Sequence, residues 1–191
     1  MCGLLPEPRT AVIGVVADTH VPDRVKQLNP KVLELFQKAR VDTILHAGDI
    51  SSPSVLAQFG EVAPVYAVRG NRDWFWWGKL PMRRMLVVEG LKIGLAHGHG
   101  GWKDYLLDRI HFMRHGYDHN RLVPRLLEAF PQANVIVFGH GHTPLNRWQN
   151  GQLLFNPGSP HFPDKKDFAP SIGLLYVSAG SEVEGEIIEL T

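Results

Sequence analysis

Cysteine is almost missing from this 191-residue chain: Cys2 is the only one. A lone thiol cannot close an internal disulfide, so nothing suggests an oxidising compartment. A thiolate cage for zinc is excluded for the same reason. Long apolar runs are missing too, and no stretch approaches the ~20 residues that span a bilayer. The opening residues, Met1 to Arg9, lack a basic segment followed by an apolar core, so a signal peptide is not expected and a soluble cytoplasmic protein is. Charge of one sign is not in excess: 20 Lys and Arg face 19 Asp and Glu, a net +1. Such a balance supplies no global field to draw nucleic acid or anionic lipid, so neither is expected as a partner. Internal repeats and low-complexity segments are absent. Cys2 as an N-terminal nucleophile would need a base beside it, and none is evident. Residues 1–9, with two prolines, read instead as a mobile tail.

What remains is an ordinary globular composition, 44% hydrophobic and 20% charged, in a length suited to one domain over 1–191. Thr10 to Ala17 is a short β-branched apolar run, read as a strand buried on both faces. Asn29-Pro30 reads as an N-cap followed by proline at the first helical position, with Val32, Leu33, Leu35, Phe36 and Ala39 at helical spacing. Thr43 to His46 is a second buried strand, Pro53 to Phe59 a short helix and Val62 to Val68 a third strand. This β-α-β-α-β order implies a parallel sheet covered by helices. Beyond it, Arg84 to Glu89 and Leu91 to Ala96 flank Gly90 as a hairpin. Trp102 to His115 has helical spacing and stops at Gly116. Arg121 to Phe130 is a further helix with Pro124 in its first turn. Asn134 to Phe138 is a strand, Arg147 to Phe155 a hairpin about Asn150-Gly151, and Ile172–Val177 and Val183–Leu190 are the last strands. The expected fold is α/β: two mixed sheets packed face to face as a sandwich, with helices on the outer faces. The helical segment 102–130 is placed as a cap over the site.

The most telling residues stand just past the end of each buried strand. Asp18-Thr19-His20 comes after the first, Gly48-Asp49 after the second and Gly70-Asn71-Arg72-Asp73 after the third. His97-Gly98-His99 comes after Ile93 to Ala96, and Gly139-His140-Gly141-His142 after Val135 to Phe138. Ligands of open α/β sheets bind beyond the carboxyl ends of the strands, so these residues converge on one rim. Carboxylate and imidazole donors suit manganese, iron, zinc and nickel. Seven candidates, Asp18, His20, Asp49, Asn71, His97, His140 and His142, are too many for one four-coordinate ion. They suit two ions ~3.5–4 Å apart that share a carboxylate.

This ordered set resembles the calcineurin-like metallophosphoesterases, whose blocks run D-x-H, G-D, G-N-H-[DE], a histidine, then G-H-x-H. The resemblance spans about Asp18 to His142, and Asn156-Pro157-Gly158-Ser159 is similar to a turn of the compact bacterial and archaeal phosphodiesterase branch. It implies that Asp18, His20 and His142 hold a first metal, that Asn71, His97 and His140 hold a second, and that Asp49 bridges. Two divalent ions are expected, manganese by preference, with nickel, iron, zinc or magnesium as alternatives. A hydroxide between them would attack the phosphorus of a small phosphodiester.

Arg72 departs from the pattern, which has histidine there. Arginine stays protonated, so it can neutralise charge or clamp a phosphate oxygen but cannot supply a proton to a leaving group. His99 is the replacement candidate for that acid, or else a loop histidine. Asp73 orients Arg72 or a ligand, or is structural. Trp74, opening the cluster Trp74-Phe75-Trp76-Trp77, either stacks a base of the substrate or packs, and exposed tryptophans would favour a homodimer. The basic stretch from Arg109 to Arg125 either borders a polyanion or is a solvated face offset by Asp104, Asp108 and Asp118. His46 reads as structural. Two rival functions stand beside the diesterase: a phosphomonoesterase, and a non-catalytic protein-binding module on the same fold.

Overall fold

The structure, a computed structural model, describes residues 10–73, 78–116, 118–161, 168–178, 180 and 182–190. The expected tail over 1–9 and the cluster from Trp74 to Trp77 lie outside the described residues.

Among the described residues the elements run β1 (Ala11–Val16), α1 (Pro30–Ala39), β2 (Thr43–His46), α2 (Pro53–Gly60), β3 (Val65–Ala67), β4 (Arg83–Val88), β5 (Leu91–Ala96), α3 (Trp102–His115), α4 (His119–Ala129), β6 (Val135–Val137), β7 (Leu145–Gln149), β8 (Gln152–Asn156), β9 (Ser171–Ser178) and β10 (Glu182–Glu189). One sheet has the order β10-β9-β1-β2-β3 and the other β4-β5-β6-β8-β7. Strands β1, β2 and β3 are parallel, with β3 at the edge, as are β5, β6 and β8; β9 and β10 on the other side of β1, and β4 and β7 at the edges of the second sheet, pair antiparallel.

Period-two alternation explains the layering. Ile13 and Val15 of β1, Leu91, Ile93 and Leu95 of β5 and Val135 and Val137 of β6 point between the sheets and form the central core. Their neighbours point outward. Val16 and Ile44 meet Val32 and Phe36 of α1 and Val55 and Phe59 of α2, and Ile136 and Leu154 meet Leu122, Leu126 and Phe130 around α4. The result is the expected four-layer α-β-β-α sandwich. The ring of Phe130 lies so close over β5 that a Cβ at Gly94 would come within 2.7 Å of it. No helix among the described residues is long and apolar enough to cross a membrane.

Local chemistry sets the boundaries. Asn29 caps α1 by accepting from the Lys31 amide at 3.1 Å, with Pro30 as its first residue. Asn150 and Gly151 both have positive φ, as a type I′ turn between β7 and β8 requires. Two expected boundaries are corrected. Strand β3 is shorter than Val62–Val68, because the amides of Val62 and Ala63 are spent closing the end of α2 on Phe59. Helix α4 starts at His119 rather than Arg121, since Asp118 caps it by accepting from the Asn120 amide. Pro124 therefore lies in the second turn, where it lacks the N–H that a helix directs to the carbonyl four residues back.

Helix α3 differs from the others. None of its residues is buried, and Trp102 and Met113 are 70% and 69% exposed. Asp108 ties it to α4 through ion pairs with Arg121 and Arg125.

Candidate metal centre

The loops that leave β1, β2, β3, β5 and β6 at their carboxyl ends bring all seven candidate ligands to one place. Five of them, Asp18, His20, Asp49, His140 and His142, have φ between 50° and 74°. A left-handed backbone on non-glycine residues is uncommon, and it persists where the surroundings over-determine it, often at functional sites.

The donor atoms form two groups. In one, His20 Nε2 is 3.1 Å from His142 Nε2, and Asp18 Oδ1 is 3.4 Å from His142 Nε2. In the other, Asn71 Oδ1 lies 3.0 Å from both His97 Nε2 and His140 Nδ1, and those nitrogens are 3.2 Å apart. Asp49 sits between, with Oδ1 3.5 Å from His97 Nε2 and Oδ2 3.8 Å from His20 Nε2. Asp18 Oδ1 is also central, 3.9 Å from both His20 Nε2 and His97 Nε2. Donors that share an ion at ~2.1 Å lie ~3.0–3.4 Å apart, so this spacing fits divalent cations. Among the described residues Asp18 Oδ1 is buried without a hydrogen-bond partner, a further sign of a group that a cation would satisfy.

The electrostatics suit the same use. Burial pushes the Asp18 carboxyl up, but His142, His97 and His20 outweigh it and hold it well below the usual carboxylate range. Burial raises Asp49 to about 6. It also lowers His20 to about 3 and His140 well below the ordinary histidine value, keeping both imidazoles neutral and able to donate a lone pair. His97 and His142 move up instead, because the Asp49 and Asp18 charges overcome desolvation.

A second layer of contacts fixes these ligands. His97 Nδ1 donates to the Ala47 carbonyl at 2.8 Å, which leaves Nε2 as the free lone pair facing the centre. Asp18 Oδ2 accepts from the His140 amide. Ser159 donates to the Asp18 carbonyl and Asn156 to the Gly139 carbonyl, so the Asn156–Ser159 turn anchors both the first and the last ligand loops. His46 is structural: its Nδ1 accepts from the Gly48 amide and its Nε2 bonds Thr19.

The remaining expected site residues are distributed differently. Asp73 orients the loops and leaves Arg72 to another residue. Its Oδ1 accepts from the Ile50 and Ser51 amides, each at 2.8 Å, and its Oδ2 from the Gly70 amide at 2.7 Å. That carboxylate knits the Asp49 loop to the Asn71 loop. Arg72 is held by Asp23 at 2.6 Å. Asp23 is a site residue that sequence reasoning missed, and only the D-x-H block three residues upstream hints at it. Arg72 does face the centre: its amide donates to Asp49 Oδ1 at 2.8 Å, and it lines a cavity of about 330 Å³ floored by Asp49, Asn71, His140 and His142. His99, the candidate acid, does not line that cavity. It lines a separate, small cavity with His97, Arg83 and Arg125, and its ring centre is 5.3 Å from that of His97. Burial, with the nearby His97 charge, lowers His99 to about 3. Trp74 lies outside the described residues.

Similarity to known proteins extends over most of the chain. The calcineurin-like phosphoesterase superfamily domain matches residues 12–180. A probable metallophosphoesterase of Methanothermobacter thermautotrophicus is 34% identical over 177 residues, covering 93% of this chain and 91% of the relative. Phosphodiesterase YfcE of Escherichia coli K12 is 30% identical over 161 residues, 76% of this chain and 78% of its own length. Among solved structures, Vacuolar Protein Sorting 29 from Cryptosporidium parvum superposes with a TM-score of 0.70 at 19% identity, over 94% of this chain and 98% of that one. At that identity the likeness concerns the fold alone.

Proposed function

This chain belongs to the calcineurin-like phosphoesterase superfamily, and we propose from that premise that it is a dinuclear metal-dependent phosphodiesterase. The observation that carries the reading is the convergence of seven N and O donors, four of which (Asp49, Asn71, His140 and His142) floor one cavity whose wall carries Arg72. Asp18, His20 and His142 would hold one ion, and Asn71, His97 and His140 the other, with Asp49 between them. Divalent cations bound there, manganese by preference, would neutralise phosphoryl oxygens and make water a nucleophile near neutral pH.

The chain's own residues do the rest. The backbone bonds of Asp73 hold the Asp49 and Asn71 loops at fixed separation, which keeps the donors in place before substrate arrives. Arg72, anchored by Asp23, supplies a fixed positive charge to an oxygen of the pentavalent transition state. It has no proton to give. The bond from phosphorus to the departing oxygen therefore breaks without protonation from this side chain, and the leaving group must carry its own negative charge. Diesters of acidic alcohols such as p-nitrophenol should turn over faster than alkyl diesters. The non-catalytic reading has no comparable support, because every ligand position is filled.

The reading is tested by titrating manganese into chelator-stripped protein by calorimetry while following hydrolysis of bis-p-nitrophenyl phosphate. Two ions per chain, with His142→Ala binding one fewer, are expected. Turnover by the stripped protein, or equal stoichiometry in the variant, would overturn it.

A further inference from the structure

Helix α3 turns one face toward the candidate centre. Tyr105, Asp108, Arg109 and Phe112, at spacing i, i+3, i+4 and i+7, line the same cavity as Asn71 and His140. The order along that face is informative. The Tyr105 ring is 6.2 Å from the His140 ring. Arg109 follows ~6 Å further along the axis and Phe112 ~10 Å, at 1.5 Å of rise per residue. Asp108 is engaged by Arg121 and Arg125 of α4. Arg109 is not neutralised in this way. Among the described residues its hydrogen bond is to the Tyr105 hydroxyl, at 3.4 Å, and no carboxylate lies within ion-pair distance. Phe112 is 46% exposed although it lines a concave surface.

Along this face of α3 the cavity thus offers, beside the phosphoryl site, an aromatic ring, a guanidinium without an ion pair among the described residues, and a second ring. We propose that it takes a nucleoside phosphodiester bearing a second phosphate, with the nucleoside against Tyr105 and Phe112 and the second phosphate on Arg109. This rests on the reading that the scissile phosphate lies on the floor. A guanidinium prefers the oxygens of a phosphate, which it can grip with two N–H groups, and an aromatic ring offers a base a stacking face. The volume, about 330 Å³, is in the range of pockets for small ligands. A long polynucleotide is a poorer match, since a net charge of +1 provides little attraction along a backbone.

The test compares thymidine 3′,5′-bisphosphate with thymidine 5′-monophosphate by calorimetry on the manganese-loaded protein. The bisphosphate should bind about tenfold more tightly, the scale of one charge-assisted contact. In Arg109→Ala that preference should shrink to near one, while Arg147→Ala, which removes an equal charge from exposed β7, should preserve it. Phe112→Ala should weaken both nucleotides several-fold. The matched kinetic pair is the 5′-p-nitrophenyl ester of thymidine 5′-phosphate with and without a 3′-phosphate, in which the preference should appear in KM. Equal affinities in the wild type, or a preference that survives Arg109→Ala, would overturn the subsite. Failure to hydrolyse any diester would overturn the phosphodiesterase reading instead, and the calorimetry would still decide the subsite.

Discussion

A methyl group at Gly70 should disable this protein without touching a candidate ligand's identity. Gly70 lies where the Asn71 loop passes the Asp49 loop, and its amide donates to Asp73. A Cβ there would fall inside contact with Asp49 Oδ1 and its amide, and 2.8 Å from Asp49 Cγ. Ordinary carbon contacts are ~3.5–4.0 Å, so the Asp49 carboxylate must move by about 1 Å. Displacement of that size in a reacting assembly costs ~100-fold, which is ~2.7 kcal/mol at 1.36 kcal/mol per tenfold. Overpacking adds a stability loss of ~1–3 kcal/mol. Gly70→Ala should therefore fold, melt several degrees lower and lose about two orders of magnitude in kcat/KM for bis-p-nitrophenyl phosphate, with weaker manganese binding. Gly60→Ala is the control, because a Cβ at the end of α2 meets nothing within 4 Å, and it should match the wild type in activity and melting. If Gly70→Ala kept its activity within threefold at full metal occupancy, the requirement that Asp49 stand where it does would fail.

Three other perturbations test separate parts of the account. Asp73→Ala removes the acceptor of three backbone amides and should destabilise the fold by roughly 3–5 kcal/mol in urea melts, well beyond Asp73→Asn, which keeps one acceptor oxygen. Arg72→His should flatten the dependence on leaving group, narrowing the rate ratio of p-nitrophenyl to alkyl diesters at least tenfold, and an unchanged ratio would mean that Arg72 is not what limits poor leaving groups. Burial lowers His46 from 6.5 to about 4, so its contribution is complete above pH 6.5 and is lost as pH falls toward 4, the unfolded state binding the proton first. That is on the order of 3 kcal/mol. Chelator-stripped His46→Gln should show a correspondingly shallower loss of unfolding free energy between pH 7 and pH 4.5, and identical slopes would refute it.

The parts of this protein that local chemistry dictates were legible in its sequence. Buried β-branched runs marked the inner strands, Asn29-Pro30 marked the start of α1, and Asn150-Gly151 marked the β7–β8 turn. Because strand ends share one rim, the seven donors could be gathered from their positions along the chain. Features that depend on distant contacts were not legible. Asp23 and Arg72 are 49 positions apart and meet only once both loops are folded. Asp73 sits beside Arg72 in sequence, yet its carboxylate turns to the amides of Ile50, Ser51 and Gly70. His99 stands two residues after His97 but lines a cavity other than the one that Asn71, Arg72 and His140 line, and the chain turns between them at Gly98, whose φ is +104°. The orientation of α3 was hidden as well, because its apolar residues are spread around the helix and none is buried.

The central claim is that these seven side chains make a metal-dependent phosphodiesterase. It is tested most directly by stripping the protein with a chelator, restoring manganese and assaying bis-p-nitrophenyl phosphate beside p-nitrophenyl phosphate, with Asp49→Asn in parallel. The account predicts that hydrolysis of the diester returns with the metal, exceeds that of the monoester and is absent in the variant. Two bound ions with no turnover of either ester, or a clear preference for the monoester, would contradict it.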